Sequence, residues 1–251
     1  MAQFPSSKTE NPRYAPRVTL LERFLDPTAV SLKICGLTRE VEASRLVALG
    51  VEALGVNFWP GSKRYLAPAD ATWLRALAGR ILRVGVFVNA PAELPLRLFD
   101  EGLVDVIQLH GDESPADAAV FHAVNIPIIK AIGVKTSAEL SRAADYGAVA
   151  ILLDAHAPGV YGGTGKGFDW NIATRFREEH ATLPIILAGG IVPSNAALAA
   201  RTVRPAALDV ASGAEHAPGV KDFDKVQALL DALKTEDRCA PRQKTADWKA
   251  P

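Results

Sequence analysis

Cysteine is scarce in this chain: there are two in 251 residues, Cys35 and Cys239, and they lie far apart. That excludes a disulfide framework and suits a reducing cytoplasm. Net charge is also missing. Twenty-eight basic residues balance 28 acidic ones, so no global field draws the chain to nucleic acid or to a membrane surface. No apolar run approaches the roughly 20 residues that a bilayer-crossing helix needs. The first residues lack the apolar stretch of a signal peptide, and Glu10, Glu22 and Asp26 argue against a transit peptide. What remains is 49% hydrophobic, enough for one large core.

Both ends are punctuated and polar. Pro5, Pro12, Pro16 and Pro27 interrupt residues 1–28, where only 18–25 has the makings of a short amphipathic helix. Residues 235–251 turn polar again, and both ends are expected to be poorly ordered extensions. Between them, residues 29–234 repeat one pattern. Short β-rich runs fall at 32–35, 53–58, 82–88, 104–109, 126–132, 148–154, 183–188 and 207–211. A helix-like segment follows each, at 38–49, 68–78, 92–101, 114–124, 137–145, 169–180, 193–200 and 222–233. Many open on a capping Thr or Ser, or on a first-turn proline such as Pro115 or Pro193.

Strict strand–helix alternation implies parallel strands with right-handed crossovers. Eight such units favour closure into a single (β/α)8 TIM barrel over an open α/β sheet. No dinucleotide-type glycine fingerprint follows the first strand, which weakens the open-sheet alternative further.

In such a barrel the carboxyl ends of the strands share one face, so they read as the wall of one pocket. Three chemical classes meet there. Gly189-Gly190, Ser212-Gly213 and the Gly162-Gly163-Thr164-Gly165 loop, with Gly163 and Gly165, offer small residues whose amides can close on a phosphate. Cys35 and Asp154, at the ends of strands one and six, form a titratable pair facing across the pocket. To act as a base the thiol must lose its proton, which calls for a pKa below its ordinary roughly 8.5. Lys33, two residues earlier and on the same strand face, either supplies that help or pairs with Asp209 on the neighbouring strand; the ion pair is the favoured reading. Arg64 either clamps a substrate carboxylate or belongs to a solvated basic loop. Gln108 and His110 stand at the fourth strand end, His110 with a structural hydrogen bond as its alternative.

Lys33-Ile34-Cys35-Gly36-Leu37-Thr38, Gln108-Leu109-His110-Gly111-Asp112, Gly162-Gly163-Thr164-Gly165 with Phe168-Asp169-Trp170, Leu187-Ala188-Gly189-Gly190 and Leu208-Asp209-Val210-Ala211-Ser212-Gly213 occur in that order. Together they resemble the phosphoribosylanthranilate isomerase family, over about residues 31–233. The resemblance implies an Amadori rearrangement of N-(5-phosphoribosyl)anthranilate in tryptophan biosynthesis. It implies Asp154 as general acid at the furanose ring oxygen and Cys35 as general base at sugar C2. Arg64 would face the anthranilate carboxylate, Gln108 and His110 would contact substrate, and the glycine loops would hold phosphate. The implied partner is a small phosphosugar, with no metal or organic cofactor, in a cytoplasmic monomer or homodimer. Three positions depart from the usual pattern: Lys63 where a proline precedes the arginine, Ala211 where a serine is common, and the spacer Lys166-Gly167. The rival readings are a histidine-pathway phosphoribosyl isomerase, which carries an aspartate where Cys35 stands, and a phosphosugar-binding paralogue without activity.

Overall fold

The computed structural model describes residues 15–155 and 168–237. Helix α1 (Ala15–Phe24) precedes strand β1 (Ser31–Cys35), which opens an alternation of α2 (Glu40–Leu49), β2 (Ala53–Asn57), β3 (Leu82–Phe87), α3 (Glu93–Asp100), β4 (Val106–Leu109), α4 (Pro115–His122), β5 (Ile128–Val134) and β6 (Ala150–Ala155). It continues with α5 (Trp170–Glu179), β7 (Ile185–Leu187), α6 (Pro193–Val203), β8 (Ala207–Val210), a hairpin of β9 (Glu215–Ala217) and β10 (Val220–Lys221), and α7 (Phe223–Asp237). Strands β1 to β8 are all parallel and close into a barrel, β8 pairing with β1 through Ser31 opposite Ala207 and Lys33 opposite Asp209. The expected TIM barrel is present, and no strand end lies more than two residues from its expected place.

Two apolar clusters explain why most strand positions, on either parity, are hydrophobic. Outward residues such as Leu32, Ile34, Leu54, Ile107, Ile151 and Leu208 pack under the helices. Their neighbours one step along, among them Ala53, Leu82, Val106, Ile129, Leu152 and Ile186, fill the barrel interior. Alternation along a parallel strand buried on both faces divides the side chains in this way.

The interior cluster also contains Leu20, Leu21, Phe24 and Leu25. The amphipathic stretch expected at 18–25 is therefore a helix, and it covers the amino-terminal end of the barrel. This corrects the expectation of a poorly ordered extension from residue 15 onward. Phe24 is fully buried and Leu25 is 1% exposed, and burial of apolar side chains on this scale anchors an otherwise short helix.

Three helix expectations change in detail. Residues Pro68–Leu77 form 3-10 turns in place of an α-helix; there Arg83, itself fully buried, donates Nη1 to the carbonyls of Leu74 (2.8 Å) and Gly102 (2.7 Å). The segment 137–145 breaks into two 3-10 turns, Ser137–Leu140 and Ala143–Tyr146. The first is capped by Thr136, whose Oγ1 accepts from the Ala138 amide. The second is tied by the Tyr146 hydroxyl to the carbonyl of Glu113 (3.0 Å). Thr38 does not cap α2: its hydroxyl donates to the carbonyl of Gly219 (2.9 Å), fastening the β9–β10 hairpin to the end of β1. Ser114 does cap α4, in a reciprocal box with Asp117.

Candidate active site

The carboxyl ends of the strands surround a pocket of about 540 Å³, whose wall includes Cys35, Arg64, His110, Asp154, Gly190 and Ser212. The loop carrying Gly163 and Gly165 lies outside the described residues. Among the described residues no cluster of three or more His, Cys, Asp or Glu side chains is arranged to hold a metal ion.

Cys35 ends β1 half-buried. The strand beside it carries Gly55 at the paired position, and the absent side chain makes the room: a Cβ there would lie 2.7 Å from Cys35 Sγ and 3.0 Å from Lys33 Nζ. Lys33 is fully buried and bonds Asp209 across the β1–β8 seam at 2.8 Å, so the favoured ion pair is present. It does not stand apart from the thiol, since Lys33 Nζ and Cys35 Sγ border the same space over Gly55 and their charges act on one another. Burial works to lower Lys33, but Asp209 and then Cys35 outweigh it and hold the ammonium above its ordinary range. For Cys35 the balance goes against the sequence expectation. Burial pushes the thiol up, Lys33 pulls it back, Asp209 adds to the rise and Lys221 opposes it, leaving the thiol above its ordinary value.

Asp154 points into the pocket from β6, with Oδ1 accepting from the Ala155 amide at 2.8 Å. His110 Nε2 is 3.4 Å from Asp154 Oδ2. On the other side of the ring, Gln108 Nε2 meets His110 Nδ1 at 2.7 Å. Gln108, expected at the substrate, is fully buried and reaches His110 instead. The loop bearing His110 is pinned on its far side, where the Gly111 amide donates to Glu113 Oε2 (2.9 Å) and the Asp112 amide to Asn89 Oδ1 (2.7 Å). Residue spacing raised the alternatives for His110 but gave no sign that it touches Asp154.

Arg64 is neither solvated nor free. Its Nε and Nη2 donate to Glu215 Oε1 (2.8 Å) and Oε2 (2.6 Å), and only 14% of its side chain is exposed. Glu215 was missed from the sequence; its one visible signal is an acidic residue two positions after Gly213.

Gly189 and Gly190 both adopt left-handed backbone, with φ of 78° and 71°, which a residue with a Cβ enters only at a cost. The loop after β8 touches theirs, since a Cβ on Gly213 would lie 1.9 Å from the Ile191 carbonyl oxygen. Ser212 opens a single 3-10 turn, Ser212–Ala214. Loops after strands seven and eight, with the start of a short extra helix, are the usual phosphate site of this fold.

The family model described as N-(5'phosphoribosyl)anthranilate (PRA) isomerase matches residues 32–232. The chain belongs to the phosphoribosylanthranilate isomerase family. It is 41% identical over 212 residues to the N-(5'-phosphoribosyl)anthranilate isomerase of Myxococcus xanthus, covering 82% of this chain and 97% of that one. The crystal structure of the Thermotoga maritima phosphoribosylanthranilate isomerase superposes with a TM-score of 0.74 at 36% identity, over 82% of this chain and 99% of that one. A structure of the isomerase in complex with reduced 1-(o-carboxyphenylamino)-1-deoxyribulose 5-phosphate superposes with a TM-score of 0.71 at 35% identity, over the same shares. Cys35, Arg64, Asp154 and Glu215 all fall inside the span matched by the family model, and α1 precedes it.

Proposed function

We propose that this pocket converts N-(5-phosphoribosyl)anthranilate into 1-(2-carboxyphenylamino)-1-deoxyribulose 5-phosphate, the Amadori rearrangement of tryptophan biosynthesis. The observation that carries the reading is one cavity walled by both a strand-one thiol and a strand-six carboxyl group, Cys35 and Asp154. Two groups so placed can give and take protons at neighbouring atoms of one sugar.

Asp154, carrying a proton, gives it to the furanose ring oxygen. The C1–oxygen bond breaks and the anilino nitrogen's electron pair forms the Schiff base. Cys35 as thiolate then removes the proton from C2, whose electrons flow into the C1–C2 bond and neutralise the imine nitrogen. The resulting enolamine tautomerises to the ketone. Nothing is oxidised or transferred overall, so the reaction as written needs neither metal nor organic cofactor. His110 contributes by holding Asp154 Oδ2 toward the pocket, and Gln108 by fixing the ring that does so. Lys33 is the cation that favours the thiolate, against burial. Gly189, Gly190, Ser212 and Gly213, with Gly163 and Gly165, bind the phosphate through backbone amides, and Arg64 reads the anthranilate carboxylate. All these groups come from one chain, so the site works in a monomer or a homodimer, and a reducing cytoplasm keeps its thiol available.

The assay is direct. Freshly prepared phosphoribosylanthranilate loses its anthranilate-type fluorescence as it is turned over, and the parent is expected to do this. Cys35→Ala and Asp154→Asn are each expected to lower kcat by about 100-fold or more, the usual scale of a positioned acid or base. An inactive parent overturns the reaction; near-parental activity in either variant overturns the role of that residue.

A further inference from the structure

The arginine proposed to read the carboxylate already holds one of the protein's own. Its path is fixed at both ends. Beside the catalytic strand end, Gly36 has no side chain, and Arg64 fills the space: a Cβ on Gly36 would lie 2.3 Å from Arg64 Cδ. At the tip, Glu215 takes Nε and Nη2 side-on. Glu215 is in turn held by Lys221 Nζ (2.8 Å) and by the Gly219 amide (3.1 Å), inside the β9–β10 hairpin. Lys221 also donates to the carbonyl of Cys35 at 2.5 Å. Burial works to raise the Glu215 carboxyl, but the Arg64 bonds and the Lys221 cation outweigh it and hold it below the usual carboxylate range.

A side-on pair uses Nε–H and one hydrogen of Nη2. Both hydrogens of Nη1 and the second of Nη2 remain, and they form an end-on fork that matches a second carboxylate. Charge leaves that fork attractive. While Cys35 keeps its proton, two cations and one anion, Arg64, Lys221 and Glu215, sum to one positive charge, so Lys221 prevents Glu215 from cancelling the arginine. We propose that Glu215 is a positioning residue that turns Arg64 end-on to the pocket and thereby makes the enzyme select an aryl group bearing a carboxylate. This rests on Arg64 as the carboxylate reader.

The test compares two probes by calorimetry: the reduced product, 1-(o-carboxyphenylamino)-1-deoxyribulose 5-phosphate with its ketone reduced, and the same molecule without the carboxyl group. The ratio of their Kd values isolates carboxylate recognition from sugar and phosphate binding. In the parent the carboxylated probe binds tighter. Glu215→Gln is expected to shrink that ratio by about tenfold, the scale of a single charge-assisted hydrogen bond, with the Kd of the other probe unchanged. In turnover the same variant raises KM more than it lowers kcat. Glu215→Asp keeps the charge but draws the carboxylate back from Arg64 by one methylene, so it shrinks the ratio less and serves if the glutamine variant does not fold. In an Arg64→Ala background, Glu215→Gln changes nothing further. An unchanged ratio in both Glu215 variants, or equal weakening of both probes, overturns the positioning role. If Arg64→Ala itself leaves the ratio at the parental value, it is the carboxylate reading of Arg64 that fails.

Discussion

At the floor of the barrel the inward side chains include Ala53, Leu82, Val106, Ile129 and Ala207, and α1 adds Phe24 and Leu25 to the same apolar cluster. Two residues further along the same strands, β2, β4 and β8 carry Gly55, Gln108 and Asp209, and Lys33 pairs with Asp209 inside the barrel. Further still come Cys35, His110 and, from β6, Asp154, at the pocket. The interior thus passes from a floor that is apolar but for Ser31, through an ion pair, to titratable groups within a few residues. The difference teaches how the barrel separates its tasks. Apolar burial at one end favours folding without touching chemistry, and the other end holds buried charges that cost stability unless each is paired. The pairs found there, Lys33–Asp209, Arg64–Glu215 and Lys221–Glu215, are the form that cost takes.

If the two ends are separable, a change at the floor should leave turnover untouched, whereas a change at the mouth should lower it. The largest expected effect is at the floor. Phe24→Ala empties a fully buried position and is expected to cost about 3–5 kcal/mol of unfolding free energy, read by urea denaturation. Its kcat, measured where the variant remains folded, should stay at the parental value; a parallel fall in kcat would show the floor and the mouth to be coupled. The converse change is Gly55→Ala. The new methyl group meets Cys35 Sγ at 2.7 Å and Lys33 Nζ at 3.0 Å, so the thiol must move. We expect kcat to fall about tenfold, ~1.4 kcal/mol of barrier, with a stability loss of about 1–2 kcal/mol from overpacking. Parental kcat in this variant would mean that the position of the thiol is not set by the space over Gly55.

The same division governs what could be read from the sequence. The strands were legible because most are apolar at both parities and are bounded by turn or capping residues; Ser114 and Pro193 even mark their helix starts correctly. The Lys33–Asp209 pair was legible because both residues lie on inward positions of adjacent strands. Glu215 was not, since it meets Arg64 from 151 positions away and no local period links the two. The segment 137–145 is made of good helix formers, yet β5 runs on to Val134 and Tyr146 is held by Glu113, so tertiary contacts override propensity. For α1 the amphipathic pattern announced a helix, but nothing in it said which surface the apolar stripe would meet. The direction of the thiol's shift was missed for a related reason: Lys33 was visible in the sequence, and the burial that outweighs it was not.

The smallest expected effect sharpens that last point. The rate of Cys35 alkylation by iodoacetamide, followed on its own peptide so that Cys239 does not interfere, reports the thiolate fraction as pH rises. Its midpoint is expected above the ordinary thiol value, because burial outweighs Lys33. Lys221→Met removes a cation that opposes the rise and should move the midpoint further up, by less than Lys33→Met does, since Lys33 is the stronger of the two influences. A downward shift in either variant would reverse the assigned electrostatics. Stability carries the same sign. A thiol whose folded pKa lies above its unfolded value of roughly 8.5 adds stability that is fully present below that pH and is lost as pH climbs through the folded pKa. The parent should therefore unfold at lower urea as the pH is raised through that window, and Cys35→Ser, which has no such proton to lose, should show a shallower decline.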